Sequence, residues 1–158
     1  MHSLGHKSDC REFEANVLAL LAESERRYEI FACRAMEVGE SALEDFFAEL
    51  AMFAHMELED ASSCGYAAAP PGLVPELEAL SRRVDGNASA CWLGRDGVGD
   101  LRILLGLGIE CCSFARLYFS RVMVTATDPA TQRAALAYAR EELSVQEALE
   151  RWMMRLVV

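Results

Sequence analysis

The sequence predicts an all-α protein, a four-helix bundle made of two antiparallel helical hairpins. The chain has 158 residues, 53% of them hydrophobic, with only four prolines and ten glycines, a composition typical of long packed helices. Apolar or small residues recur at spacings of three and four, which keeps one stripe of each helix facing inward. We expect a single domain spanning residues 1–158, with helices at about 9–38, 41–63, 100–125 and 128–156.

The first hairpin is predicted from capping signals. Asp9 followed by Glu12 predicts the start of helix one, and Gly39 predicts its end. Ser41 followed by Glu44 is a second capping pair, so helix two begins almost immediately. With so short a connection, helix two must fold back antiparallel on helix one.

A long crossover is predicted between the two hairpins. Pro70 and Pro71 stop helix two, and the following stretch to residue 100 is irregular apart from a short amphipathic helix over residues 74–84. Helix four opens with Asp128 as its cap and Pro129 at its first position. Two hairpins joined by one long connection form a four-helix bundle.

Charge and composition exclude several classes of protein. The net charge is −10 with no basic cluster, which disfavours nucleic acid as a partner. No signal peptide is recognised, and the most apolar stretch, residues 103–115, is interrupted by Glu110, so we expect a cytoplasmic protein without membrane contact. The six cysteines form no C-x-x-C pair and are expected to be reduced and mostly buried. Cys111 and Cys112 diverge by about 100° on a helix, so we expect at most one of them to face the interior.

Two sets of short motifs, about 90 residues apart, resemble the two hairpins of rubrerythrins in the ferritin-like superfamily. The first set comprises residues 27–35 and 47–57, and the second comprises residues 110–113, Tyr118, Asp128-Pro129 and Glu141-Glu142. The resemblance implies a ferritin-like bundle. Members of that family hold two irons with one glutamate from the first helix of each hairpin and a Glu-x-x-His pair from the second.

Carried over residue by residue, the resemblance implies a site that has lost most of its ligands. The family's ligand positions fall on Leu21, Ala54, Glu57, Glu110, Glu142 and Val145. Only Glu110 and Glu142 match the family's residue type, while Glu57 stands at a histidine position and could still offer an oxygen ligand. Leu21, Ala54 and Val145 cannot bind a metal.

Three carboxylates converging in an interior need compensation, because burying an unpaired ion costs several kcal/mol. A single divalent metal, iron in the first instance, could bind Glu57, Glu110 and Glu142. Alternatively the carboxyl groups are protonated or paired with arginines, or they turn outward and never meet. The resemblance and the residues leave these three arrangements open.

Three functions follow from these alternatives. The first is a non-catalytic scaffold or binding protein without a cofactor and with no assigned catalytic residue. The second is an iron-binding oxidoreductase or iron-handling protein with a reduced metal site on Glu57, Glu110 and Glu142. The third is a binder of small apolar molecules in a core cavity left by Ala54. Because ferritin-like bundles commonly pair, the resemblance also implies a homodimer.

Overall fold

The computed structural model describes residues 3–65, residues 97–156 and six residues between 78 and 86, with residues 3–9 described as backbone. Within these ranges every regular element is helical: α1 Ser3–Val38, α2 Ser41–Ser63, α3 Gly97–Thr125 and α4 Pro129–Arg155. The all-α prediction with four long helices is confirmed. The six residues between 78 and 86 are helical, and the rest of the predicted short helix, with Pro70, Pro71 and Cys91, lies outside the described residues.

The turn between α1 and α2 forms as the sequence predicts. Gly39 ends α1 with φ at +88°, in the left-handed region that favours glycine. Its N–H donates to the Met36 carbonyl at 3.1 Å, and the Glu40 N–H donates to the Ala35 carbonyl at 2.9 Å. These bonds satisfy carbonyl groups at the end of α1, so that α2 can begin at once in the opposite direction.

The predicted helix starts have mixed outcomes. Asp128 caps α4 by accepting hydrogen bonds from the Thr131 backbone N–H at 3.1 Å and the Thr131 hydroxyl at 2.8 Å, as predicted. The start of α1 at Asp9 is wrong: the helix begins at Ser3, because no proline interrupts the preceding residues. Ser41 is the first residue of α2 and not its cap, which is Glu40 and forms no side-chain capping bond.

Side-chain contacts define the directions of α1 and α3. Phe13, near the start of α1, packs edge-on against Phe119, near the end of α3, with ring centroids 6.3 Å apart. Arg34, near the end of α1, pairs with Asp100, near the start of α3. The two helices are therefore antiparallel.

The same reasoning applies to α2 and α4. Phe46 contacts Trp152 with ring centroids 5.8 Å apart, and Glu57, further along α2, bonds to Glu141, which comes earlier in α4. These two helices are also antiparallel. Consequently α1 and α4 run one way, and α2 and α3 run the other.

The core consists of two clusters at opposite ends of the bundle. One contains Phe31, Phe47 and Leu149, all fully buried, at the end where α1 turns into α2. The other contains Val17 and Phe119 at the end where α3 turns into α4. The region between the two clusters holds the buried polar groups described below.

Helix α3 supplies much of this core. Among the helices that the structure describes, it is the one long and apolar enough to cross a membrane, judged by length and composition alone. Leu101, Leu104 and Leu105 are fully buried against neighbouring helices, which is typical of the core helix of a bundle.

The cysteines differ from the prediction. Among the described residues Cys111 and Cys112 are buried, Cys10 is partly buried, and Cys33 and Cys64 are exposed, all as free thiols. The expectation that most would be buried is therefore wrong. The expectation that at most one of Cys111 and Cys112 faces the interior is also wrong, because both are buried. That expectation assumed a single inward stripe, whereas neighbouring helices cover two adjacent faces of α3.

Candidate functional site

A small cavity lies midway along the bundle and has side chains from all four helices in its wall. It leaves about 40 Å³ for the centres of water-sized molecules, which is enough for a few waters at most. Its wall is mainly apolar, with carboxyl groups on one side. The lining residues are Val17, Leu20, Leu21, Ser24, Tyr28, Leu50, Phe53, Ala54, Glu57, Phe119, Tyr138, Glu141, Glu142 and Val145.

Five of the six ligand positions implied by the resemblance line this one cavity: Leu21, Ala54, Glu57, Glu142 and Val145. The structure thus brings residues of α1, α2 and α4 together at one level of the bundle. The sixth position, Glu110, does not line it.

Helices α2 and α4 contribute equivalent positions to the cavity. Their lining residues pair at a constant separation of 88 residues, as in Leu50 with Tyr138, Ala54 with Glu142 and Glu57 with Val145. This is the separation at which Glu142 and Val145 align with Ala54 and Glu57 in the sequence.

Buried positions of α1 and α3 coincide at a separation of 91 residues, which differs from the separation used in the sequence comparison. Buried Leu21 then matches buried Cys112, and buried Tyr28 matches buried Phe119. The sequence comparison instead paired Leu21 with Glu110, 89 residues away. A shift of two residues turns a helical side chain by about 200°, and so Glu110 lies on the opposite face of α3 from the cavity.

Glu110 is therefore a surface residue. Its side chain is 50% exposed and accepts hydrogen bonds from Arg83. It does not converge with Glu57 and Glu142. Among the described residues, no group of three or more histidine, cysteine, aspartate or glutamate side chains is placed to hold a metal ion. The single-metal site predicted on these three glutamates is not assembled.

Glu57 carries a proton at neutral pH. Burial raises the pKa of its carboxyl to about 9, and a hydrogen bond with the Glu141 carboxyl adds to the increase. Two carboxyl groups in hydrogen-bond contact need a proton between them. The sequence comparison did not identify Glu141 as a site residue. Its position 88 residues after Phe53, at the same separation as the other aligned pairs of α2 and α4, could have indicated that it lines the cavity.

Glu142 lies beside a buried arginine. Burial raises the pKa of Glu142, while the nearby Arg27 guanidinium and a hydrogen bond with Cys112 oppose the increase. Arg27 is 3% exposed, and its guanidinium carbon lies 4.9 Å from the centroid of the Tyr28 ring. Arginine stays charged even when buried, and so it supplies positive charge next to the cavity.

The hydrogen bonding of Arg27 is incomplete. Its Nη2 atom donates to the Ser24 hydroxyl at 3.3 Å, but its buried Nε has no hydrogen-bond partner among the described residues. The sequence did not identify Arg27 as a site residue, because its identity gives no sign that it is buried.

Tyr28 and Cys112 complete the polar groups. The tyrosine oxygen is 3.7 Å from the Cys112 sulfur, and burial raises the pKa of both groups. Burial also raises the pKa of Cys111. At neutral pH burial keeps these groups a neutral phenol and neutral thiols, so neither thiol is an activated nucleophile.

Two open grooves of similar size lie elsewhere on the described surface. One, of about 350 Å³, runs between α2 and α4 and shares Glu57, Tyr138 and Glu141 with the cavity. The other, of about 340 Å³, lies where Cys10 meets Asp128. In the second groove the Cys10 thiol donates a long hydrogen bond to the Asp128 carboxylate at 3.8 Å, and that carboxylate is already occupied in capping α4.

Comparison with known proteins gives no family for this chain. No protein-family model matches it, and searches of curated proteins and of solved structures give no match either. Function is therefore argued from the site itself.

Proposed function

We propose that this protein is a ferritin-like, rubrerythrin-like bundle that has lost its diiron chemistry and works in the cytoplasm as a non-catalytic scaffold or binding protein. The observation that carries the proposal is the cavity wall, in which five of the family's six ligand positions meet and three of them, Leu21, Ala54 and Val145, are apolar. The helix directions also support it, because two hairpins joined by a long crossover require α2 and α3 to run the same way.

The chemistry of the cavity agrees with a loss of metal binding. A pair of iron ions needs several anionic oxygen ligands and imidazoles. The matched positions on α1 and α3 are Leu21 and Cys112, both buried and uncharged. Replacing buried charged ligands with apolar side chains stabilises a bundle without metal, which suits a scaffold.

The other two functions predicted from the sequence fit the geometry less well. The iron-binding alternative needs Glu110 beside Glu57 and Glu142, and Glu110 is on the outer surface. The small-molecule alternative needs room for a ligand. Cavities that bind a molecule the size of benzene measure about 150 Å³, well above the volume found here.

The direct test is the metal content of the protein purified from iron-rich medium. We expect no stoichiometric iron, and a melting temperature that does not change when Fe(II) is added under anaerobic conditions, because a ligand stabilises only a protein that binds it. Stoichiometric iron that disappears in the Glu142→Ala variant would contradict the proposal.

A restoration experiment tests the ancestry of the site. The combined variant Leu21→Glu, Ala54→Glu, Glu57→His, Cys112→Glu and Val145→His, together with native Glu142, returns the family's ligand types to the cavity. We expect it to bind two Co(II) or Fe(II) ions per chain, measured by absorption spectroscopy and elemental analysis.

The matched control keeps native Cys112 and carries the other four substitutions. It retains Glu110, so it would form a full ligand set only if Glu110 faced the cavity. We expect weaker binding by this control. Equal metal binding by the two variants would show that the register of α3 derived from burial is wrong. Circular dichroism with and without metal separates a failure to fold from a failure to bind.

A further inference from the structure

The outward side of α2 combines exposed apolar side chains with carboxylates. We call it the α2 outer face, and it comprises Asp45, Glu49, Met52, Met56, Glu59 and Asp60. These residues recur every three or four positions, apart from the adjacent pair at the end, and so they form one stripe along the helix. Met52 is 60% exposed and Met56 is 54% exposed, and Phe53 beside them is 50% exposed.

The equivalent face of α4 has a different character. At the 88-residue separation defined by the cavity, it carries Arg133, Ala137, Arg140, Ser144, Glu147 and Ala148. None of these is a large apolar residue, and the charges are of both signs. A helix at this place in the bundle therefore does not need large apolar side chains on its outer face. The exposed methionines are specific to α2.

The charge of α2 restricts what can cover this face. The helix contains six acidic residues and no lysine or arginine. On the α2 outer face, Asp45 and Glu49 lie on one side of the two methionines, and Glu59 and Asp60 lie on the other. The stripe is about 22 Å long at 1.5 Å per residue. Methionine side chains are flexible and polarisable, and they adapt to the surface of a partner.

We propose that the α2 outer face binds an amphipathic helix of a partner protein, with an apolar centre and lysine or arginine at both ends. The apolar centre would cover Met52, Phe53 and Met56, and the basic ends would meet the two acidic pairs. A second copy of this chain fits poorly, because α2 packed against α2 would place carboxylates against carboxylates, with His55, which contacts Glu59 at 3.1 Å, as the one basic side chain of the helix. Phe53 also lines the cavity, but Met52, Met56 and the four carboxylates of the face do not. The proposal concerns a different ligand on the outer surface, so it goes beyond the proposed function and does not depend on it.

The test uses a synthetic helical peptide of about 16 residues, with leucines in the centre of one face and lysines at both ends. It is titrated into the full-length protein by isothermal titration calorimetry. We expect saturable one-to-one binding that weakens at least about tenfold in the Met52→Ser, Met56→Ser double variant. The Glu49→Lys, Glu59→Lys double variant should weaken it by a similar factor, and a peptide with glutamate in place of lysine should not bind.

The matched control is Leu117→Ser on α3, because Leu117 is 59% exposed, about as much as Met52. We expect it to bind the peptide as tightly as the native protein does. Equal weakening by Leu117→Ser, or no weakening by the methionine variant, would overturn the proposal. Analytical ultracentrifugation provides the other decisive result: a homodimer that dissociates in the methionine variant would show that a second copy occupies the face. All substituted side chains are at the surface, and thermal melts confirm that each variant is folded.

Discussion

Two of the regions where this bundle buries charged groups compensate for that burial differently. Near one end, the Arg34 guanidinium donates to the Asp100 carboxylate at 2.8 Å. Asp100 is 1% exposed and Arg34 is 13% exposed, and Arg34 also reaches Glu37 at 2.7 Å. Here every charged group lies within hydrogen-bond distance of a group of opposite charge.

In the middle of the bundle the charges are not matched. Three carboxyl groups, those of Glu57, Glu141 and Glu142, line a cavity beside one guanidinium, that of Arg27. A proton on Glu57, beside the Glu141 carboxyl, removes one of these negative charges. The comparison shows that burial can be tolerated either by pairing or by protonation, and only protonation makes stability depend on pH near neutrality.

The largest expected effect comes from breaking the matched pair. Asp100→Ala should lower the free energy of unfolding by about 3–5 kcal/mol, because Arg34 would be left buried without its main partner. Urea denaturation measures this change. Glu37→Ala is the control, since Glu37 is 55% exposed. We expect it to change stability by less than about 1 kcal/mol. Equal losses in the two variants would show that the buried Arg34–Asp100 pair contributes no more to stability than the exposed Arg34–Glu37 pair.

An intermediate effect is expected at Glu57. The folded protein holds its proton up to about pH 9, whereas the unfolded chain releases it near the ordinary value of 4.5. Between these values the folded state binds more protons, so this contribution to stability is complete at low pH and is lost as the pH rises through the window. Glu57→Gln cannot lose a proton. It should therefore raise the melting temperature at pH 8. Because Glu57 is only half-buried and solvent screens its charge, we expect a rise of roughly 2–4 °C, corresponding to about 1 kcal/mol, with little change at pH 4.

The control for this prediction is Glu110→Gln, which changes a carboxyl of the outer surface. It should leave the pH dependence of melting as it is in the native protein. If Glu57→Gln and the native protein lose stability equally between pH 5 and pH 8, Glu57 does not carry a proton in the folded protein.

The smallest effect is expected at the buried arginine of the cavity. Arg27 forms no ion pair among the described residues, and its Nε is unsatisfied. Arg27→Met keeps most of the apolar side chain, and Glu142, whose pKa is already raised by burial, can take up a proton once the guanidinium is gone. We therefore expect the free energy of unfolding to change by less than about 1 kcal/mol. Arg34→Met should cost about 3–5 kcal/mol in the same urea experiment. Similar losses in both variants would remove the distinction between the two regions.

The sequence by itself determined the helices and most of their ends. Gly39 and Asp128 act through bonds to residues three to five positions away, and such local chemistry is visible in the sequence. The alignment of α2 with α4 could also be read from the sequence. It placed Ala54 with Glu142 and Glu57 with Val145, 88 residues apart, and the residues that line the cavity have the same separation. The true start of α1 could not be predicted from Asp9, since a capping residue can also lie inside a helix.

Only the tertiary structure decided which face of α3 meets the cavity and which carboxyl groups are charged. Glu110 matched by residue type, but burial selects Cys112, and the difference of two residues is decided by packing against other helices. The proton on Glu57 depends on Glu141, which is 84 residues away in the chain. Helices form through bonds between near neighbours, whereas pKa values depend on burial and on charges that only the folded chain brings together.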